Sequence, residues 1–121
     1  MSAGSQEGTA PQEALTRLAR QFLVHSFLYY RLDESLIGDQ AFDALTENLR
    51  ALHASHPELT LPHARVLAPA LGPEASGFSI RQYPPDILTA AFKLLYRERG
   101  SGVEFGEFVE RRGYSIGWET P

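Results

Sequence analysis

Two stretches of apolar residues at helical spacing, joined by a very short turn, constrain this chain more than any other feature. Leu15, Leu18, Phe22, His25 and Tyr29 recur at three- and four-residue intervals, which puts them on one face of a helix. Leu23, Val24, Phe27, Leu28 and Tyr30 widen that face until the end of the helix is apolar nearly all round. An end of that kind is either buried on several sides or holds a ligand. Phe42, Leu45, Leu49 and Leu52 repeat the pattern, and Pro57 closes it. Asp33 to Gly38 is the connection, and one of about six residues folds two helices into an antiparallel hairpin. The spacing predicts a first helix opening near Pro11, a residue tolerated in a first turn. It predicts a second over about Gln40 to Ser55, with Asp39 as its N-cap.

The remainder is less regular. Met1 to Ala10 is small and polar, without the basic start and apolar stretch of a signal peptide, and is expected to be a disordered tail. Residues 60–85 are rich in Pro, Gly and Ala and read as a surface linker, with Phe78 to Arg81 alternating like a short extended piece. Pro84-Pro85 opens a third helix over about Asp86 to Arg99, striped by Ile87, Leu88, Ala91, Leu94 and Leu95 and stopped at Gly100. Val103 to Arg112 is a short fourth helix with Phe105, Phe108 and Val109 inward. Tyr114 to Pro121 is a tail that Trp118 can pin to the body. The expectation is an all-α fold: a helical hairpin over 11–59 with two further short helices in 86–121 packed on it. No internal repeat is visible.

Composition narrows the function classes. The chain has 121 residues, no cysteine and a net charge of −4, so disulfides and thiolate metal sites are excluded. Residues 1–80 carry 5 Arg/Lys against 9 Asp/Glu. Phosphate backbones are gripped by Lys and Arg that release counterions, so direct nucleic-acid binding is disfavoured. No apolar run is long enough for a membrane span, and the cytoplasm is the expected compartment.

The turn gathers the residues that carry chemistry. Tyr29 and Tyr30 end one helix, and Asp39, Phe42 and Asp43 begin the next. The hairpin brings these ends together as a cleft of flat aromatic faces rimmed by carboxylates. Oxidised nicotinamide is a flat cation, and an aromatic face attracts such a ring by roughly 0.5–2 kcal/mol. Asp39 and Asp43, one turn apart, can accept from an amide or a ribose hydroxyl. Read without any relative, the same residues also serve purely structural ends. Asp39 is then an N-cap, Asp43 answers the helix dipole, and Tyr29 and Phe42 are contacts between the helices.

The order of these motifs resembles a known family. His25, Tyr29-Tyr30 and Asp33 are followed by Ile37, Asp39, Phe42-Asp43 and Leu45, and then by His56-Pro57-Glu58-Leu59. This is similar to the first domain of bacterial NAD-dependent DNA ligases, which reads Y-Y-x-x-D, then I-x-D-x-x-Y-D-x-L, then H-P-E-L. The resemblance covers about forty-five residues, with the gaps matching. It implies a small helical domain (the ligase Ia domain) that binds the nicotinamide mononucleotide (NMN) half of NAD. It places Tyr29, Tyr30, Asp39, Phe42 and Asp43 at the nucleotide-contacting positions.

Three departures matter. Phe42 stands where the family usually has tyrosine, which keeps the stacking face and removes a hydroxyl. Glu34-Ser35-Leu36 replaces a stretch that in the family often contains proline. The chain's one lysine, Lys93, is followed by Leu94-Leu95-Tyr96 and not by the ligases' K-x-D-G motif. Self-adenylation on the ligase pattern is therefore not expected of it, and a non-catalytic accessory protein that binds NMN or NAD is. The alternative is an interaction module or inhibitor that kept the fold, lost the ligand and docks on a protein partner. Small ligase-related proteins of this kind look like bacteriophage accessory proteins, which would place this one in a host cytoplasm. A hydrolase of nicotinamide nucleotides has only the paired aspartates behind it.

Other polar groups have plainer readings. His53, His56 and His63 lie close in sequence without converging carboxylates, so no metal site is expected. His25 on an apolar face reads as a hydrogen-bonded interior histidine. Arg97, Arg99, Arg111 and Arg112 flank a Gly-Ser-Gly turn, as a solvated helix end or as a patch for phosphate or an acidic partner.

Overall fold

Residue Phe22 turns one side of a long helix toward its hairpin partner, and Phe27 turns another side toward the C-terminal half. The two lie five residues apart, roughly 140° around a helix. A computed structural model describes residues 2–71, 80, 82–100 and 102–114, with the backbone alone for 2–9. Its first helix, α1, is Ser2–Arg31. The second, α2, is Gly38–Ser55, and it packs antiparallel along α1. A one-turn helix, α3, is Ala64–Leu67, followed by a 3-10 turn over Ala68–Ala70. Helix α4 is Pro85–Arg99 and lies against α1, and α5 is Phe105–Glu110. Among the described residues there is no strand, and the fold is all-α as expected. No helix among them is long and apolar enough to cross a membrane.

The core lies on both sides of α1. Leu15, Ala19, Phe22, Leu23, Phe27 and Leu28 are buried, as are Leu45 and Leu49 of α2. Ile87, Ala91, Phe92 and Leu95 of α4 and Phe108 and Val109 of α5 join it. The Phe27 ring meets the edges of Phe92 at 5.5 Å and of Tyr83 at 5.2 Å. This explains the unbroken apolar girth at the end of α1: one side serves α2 and another serves α4. Burial of a large apolar side chain contributes about 1.5–3 kcal/mol, so a helix buried on two sides is the natural centre of the fold.

Several boundaries differ from the sequence expectations. α1 starts at Ser2, so it takes in the segment expected to be a disordered tail and passes through Pro11. Pro11 forfeits one backbone hydrogen bond and its ring crowds the preceding turn, a cost of about 3 kcal/mol inside a helix. α2 opens at Gly38, two residues early, and Asp39 is not its N-cap. Gly38 has a φ of +80°, which swings the chain into the helix, and no side chain caps the end. The segment 60–85 is more than a surface linker, since Leu67, Ala70, Ile80 and Tyr83 are buried. Polar ties fasten it as well. Gln12 accepts from the Thr60 amide at 3.0 Å and donates to the Thr60 carbonyl at 2.8 Å. Arg50 donates to the Ala70 carbonyl at 3.2 Å, and Arg31 to that of Ile80. α4 begins one residue before the expected start, and α5 is shorter at both ends than expected. Phe78, Ser79, Arg81 and Trp118, for which an extended piece and a tail contact are expected, lie outside the described residues.

Candidate functional site

Phe22, His25 and Tyr29 form a stripe at three- and four-residue spacing along the face of α1 that meets α2. Near the turn, Phe42 of α2 packs onto it, its ring parallel to Phe22 within 11° and 5.6 Å away. Tyr29 lies tilted at 5.8 Å from the Phe42 ring, and Tyr30 meets it edge-on at 6.2 Å. Tyr29 and Tyr30 touch each other edge-to-face at 4.8 Å. The Phe42 ring thus joins the core through Phe22 and meets the two tyrosines near the turn.

The turn itself is built by backbone geometry. Asp33 takes a left-handed φ of 57°, which short polar side chains tolerate best after glycine. The Glu34 amide then donates back to the Leu28 carbonyl at 2.9 Å, an arrangement that ends helices by satisfying a free carbonyl. Glu34 to Ile37 cross the top of the hairpin, and Gly38 returns the chain into α2. Beneath this crossing lies a shallow depression lined by His25, Tyr29, Phe42 and residues 34–39. Sites for whole small molecules usually run to about 300 Å³ or more. This one is far smaller, enclosing little more than a water-sized space, so a bound ring would rest across its mouth with the rest of a ligand out over the rim.

The electrostatics of the cavity are uneven. Half-buried His25 loses water around its imidazole, and that desolvation lowers its pKa below the ordinary histidine value. Its Nδ1 is buried with no hydrogen-bond partner among the described residues. The sequence expectation of a hydrogen-bonded interior histidine is thus not met. The residues beside it are aromatic or belong to the turn, and none of them supplies a partner. Asp39 is exposed in the first turn of α2, where the helix dipole favours a carboxylate. It makes no capping bond, so its oxygens are not spent on the backbone.

The five residues named from sequence separate into two groups. Tyr29, Asp39 and Phe42 line the cavity together. Tyr30 belongs to the same ring cluster but faces its flank, and Asp43 is exposed one turn further along α2, outside the lining. Sequence reasoning did not assign His25 or residues 34–38 to the wall. His25 lies one turn before Tyr29, a signal that was available. Glu34 gave none, because its place depends on partners far along the chain. Its carboxylate accepts from Arg99 Nε at 2.8 Å, with Arg112 at 3.8 Å.

The other polar clusters resolve into local pairings. Arg111 pairs with Glu107 at 2.5 Å and Arg97 with Glu98 at 3.9 Å, so the arginines flanking the Gly-Ser-Gly turn do not form an unpaired phosphate patch. His56 bonds Glu58 at 3.1 Å. His63 bonds Asp86 at 3.3 Å, and Arg20 stands 3.7 Å from the same carboxylate. His53 keeps a buried Nδ1 without a partner among the described residues.

Residues 8–64 match the family described as DNA ligase-like, N-terminal NAD+-binding domain. A DNA ligase of Alkalilimnicola ehrlichii is 45% identical over 58 residues, which is 48% of this chain and 9% of the ligase. A DNA ligase of a Roseiflexus species is 49% identical over 55 residues, 43% of this chain and 8% of that protein. A DNA ligase of Chloroflexus aurantiacus is 37% identical over 91 residues, 70% of this chain and 12% of the ligase. The chain therefore spans about a tenth of the length of the curated relatives it matches. No solved structure gives a significant match.

Proposed function

We propose, from the premise that residues 8–64 form a DNA ligase-like, N-terminal NAD+-binding domain, that this chain binds the nicotinamide half of NAD, or NMN itself, in the cavity beneath the hairpin turn. The observation that carries the reading is the convergence of Tyr29, Phe42 and Asp39 on one shallow depression beside the buried His25 Nδ1, which has no partner among the described residues. A pyridinium ring suits this setting. The aromatic faces attract its charge, and the Asp39 carboxylate at the rim offsets it. The carboxamide of nicotinamide has both a donor and an acceptor. Neutral His25 can answer either through Nδ1, depending on which tautomer it adopts. The ribose and phosphate then lie over the rim toward Tyr30 and Asp43. In this reading the chain's own residues hold and orient the nucleotide. When bound, the group supplies a ring that is a good leaving group at its glycosidic carbon.

Titration of the full chain with NMN, followed by amide chemical shifts, tests the proposal. The expected result is saturable shifts at His25, Tyr29, Asp39 and Phe42. Half-saturation should fall at or below about 1 mM, an affinity that roughly 4 kcal/mol of contact supplies. Absence of any shift at millimolar NMN would refute it.

A further inference from the structure

We infer that Arg99 and Arg112 are positioning residues for the nucleotide cleft. Together they clamp Glu34, and through it the C-terminal helices fix the wall of a site that lies wholly on the hairpin. The inference deepens the binding reading above and rests on it for its consequence, though not for its mechanics.

Glu34 sits directly after the left-handed Asp33, in the crossing that roofs the cavity. Two guanidiniums from separate parts of the C-terminal half converge on its carboxylate. Arg99, the last residue of α4, donates from Nε to Oε1 at 2.8 Å, and Arg112, just past α5, stands 3.8 Å from Oε2. Isolated surface ion pairs contribute little, because water screens them and long side chains must be ordered. The Glu34–Arg112 part of this cluster differs on both counts, its side chains being only 21% and 26% exposed, while Arg99 is 48% exposed. Arg112 is also held before it meets Glu34. Its guanidinium lies over the Phe108 ring at 3.8 Å, and Nη1 donates to the Phe108 carbonyl at 3.2 Å. A planar group fixed in this way loses little further freedom on pairing.

The corner that aims the two arginines is itself tightly built. Tyr96 packs edge-on against Phe105 at 5.4 Å and Phe108 at 5.2 Å, and its hydroxyl donates to the Val103 carbonyl. Its ring also presses on the backbone at Gly100, next to Arg99. The roof of the cavity is a short crossing in which Ser35 is exposed while half-buried Leu36 and Ile37 pack against the core. The C-terminal corner thus adds a carboxylate tie to a roof that two apolar side chains anchor from below. Both arginines lie outside the residues that match the ligase-like domain, so the clamp joins the matched segment to the rest of the chain.

The test uses the full chain carrying Arg99→Gln and Arg112→Gln together, with two readouts. The first is hydrogen exchange of the Glu34 amide in the free protein, and the second is NMN affinity. Exchange of the Glu34 amide, which bonds the Leu28 carbonyl, is expected to rise about tenfold and NMN affinity to fall about three- to tenfold, a span reached by a partly buried pair but not by a screened one. Exchange in the α1 and α2 core and the melting temperature should stay at wild-type values. The Arg99→Lys and Arg112→Lys pair, which keeps the charges but not the stacked planar guanidinium, should recover only part of the loss. Unchanged exchange at the Glu34 amide in the glutamine variant overturns the clamp, whatever the ligand does. A uniform rise in exchange across the whole protein also overturns it, since that marks a general structural role. If the wild-type chain does not bind NMN, the binding reading falls, and the exchange at the Glu34 amide still decides the clamp.

Discussion

Tyr29→Ala removes a large ring that keeps 37% of its surface exposed at the mouth of the cavity. Truncating a fully buried aromatic side chain costs about 3–5 kcal/mol. Tyr29 is far from fully buried, and its ring contacts are an edge with Tyr30 and a tilted face with Phe42. The stability loss should therefore be about 1–2 kcal/mol, and a domain with ~5–15 kcal/mol of stability remains folded. Binding should suffer out of proportion to that. If the ring faces the nicotinamide cation, its removal forfeits roughly 0.5–2 kcal/mol, a two- to thirtyfold weaker complex. Calorimetric titration with oxidised and with reduced NMN measures this directly. The reduced ring is neutral, so the wild-type protein should prefer the oxidised form, and the preference should shrink in Tyr29→Ala. Tyr29→Phe keeps the aromatic face and should bind within about twofold of wild type, less than the smallest hydrogen-bond contribution. Equal binding of both ring states by the wild-type protein, or an unchanged affinity in Tyr29→Ala, would show that charge and ring do not meet here.

Phe42→Tyr restores the hydroxyl that the ligase family usually carries at this position. It should tighten NMN binding about two- to tenfold, the range of one added hydrogen bond, as read by the same titration. Gly100→Ala places a methyl group 2.2 Å from the Tyr96 ring and 2.6 Å from its carbonyl oxygen, so the corner must shift. Overpacking of this kind costs ~1–3 kcal/mol, and a lowered melting temperature with faster exchange at the Glu34 amide is expected. His25 gives the fold a pH dependence of known sign. Burial holds its folded pKa below the unfolded value, so the unfolded chain binds the proton first as pH falls. The stability tied to His25 is complete above the unfolded pKa of about 6.5 and is lost progressively as pH falls from there through the lower folded pKa. Melting temperatures between pH 7.5 and 5.5 should fall less steeply in His25→Gln, and parallel profiles would remove His25 from the account.

Much of the hairpin was legible in the sequence because a helical face is a local property. The spacing of Leu15, Phe22, His25 and Tyr29, and that of Phe42, Leu45, Leu49 and Leu52, fixes two stripes whatever lies beyond them. The short connection between them leaves an antiparallel pairing as the simple outcome. The convergence of Tyr29, Asp39 and Phe42 follows from that pairing, and the motif order around them points to the ligase-like domain. Other features depend on contacts between distant parts of the chain, and composition cannot report those. The segment 60–85 looks like a linker because its prolines and glycines break local patterns, yet Leu67, Ala70, Ile80 and Tyr83 are drawn into a core that α1 and α4 create. Local propensity puts an N-cap at Asp39, but the turn through Gly38 opens the helix earlier and leaves that carboxylate at the rim. Glu34 reads as one more charge in a turn until α4 and α5 bring Arg99 and Arg112 to it across a separation of 65 residues to Arg99. Sequence by itself determined the helices and the residues facing the turn, because backbone periodicity acts over one or two turns. Tertiary structure decided which side of α1 meets which neighbour and what holds the cleft, because those depend on packing between segments far apart in the chain.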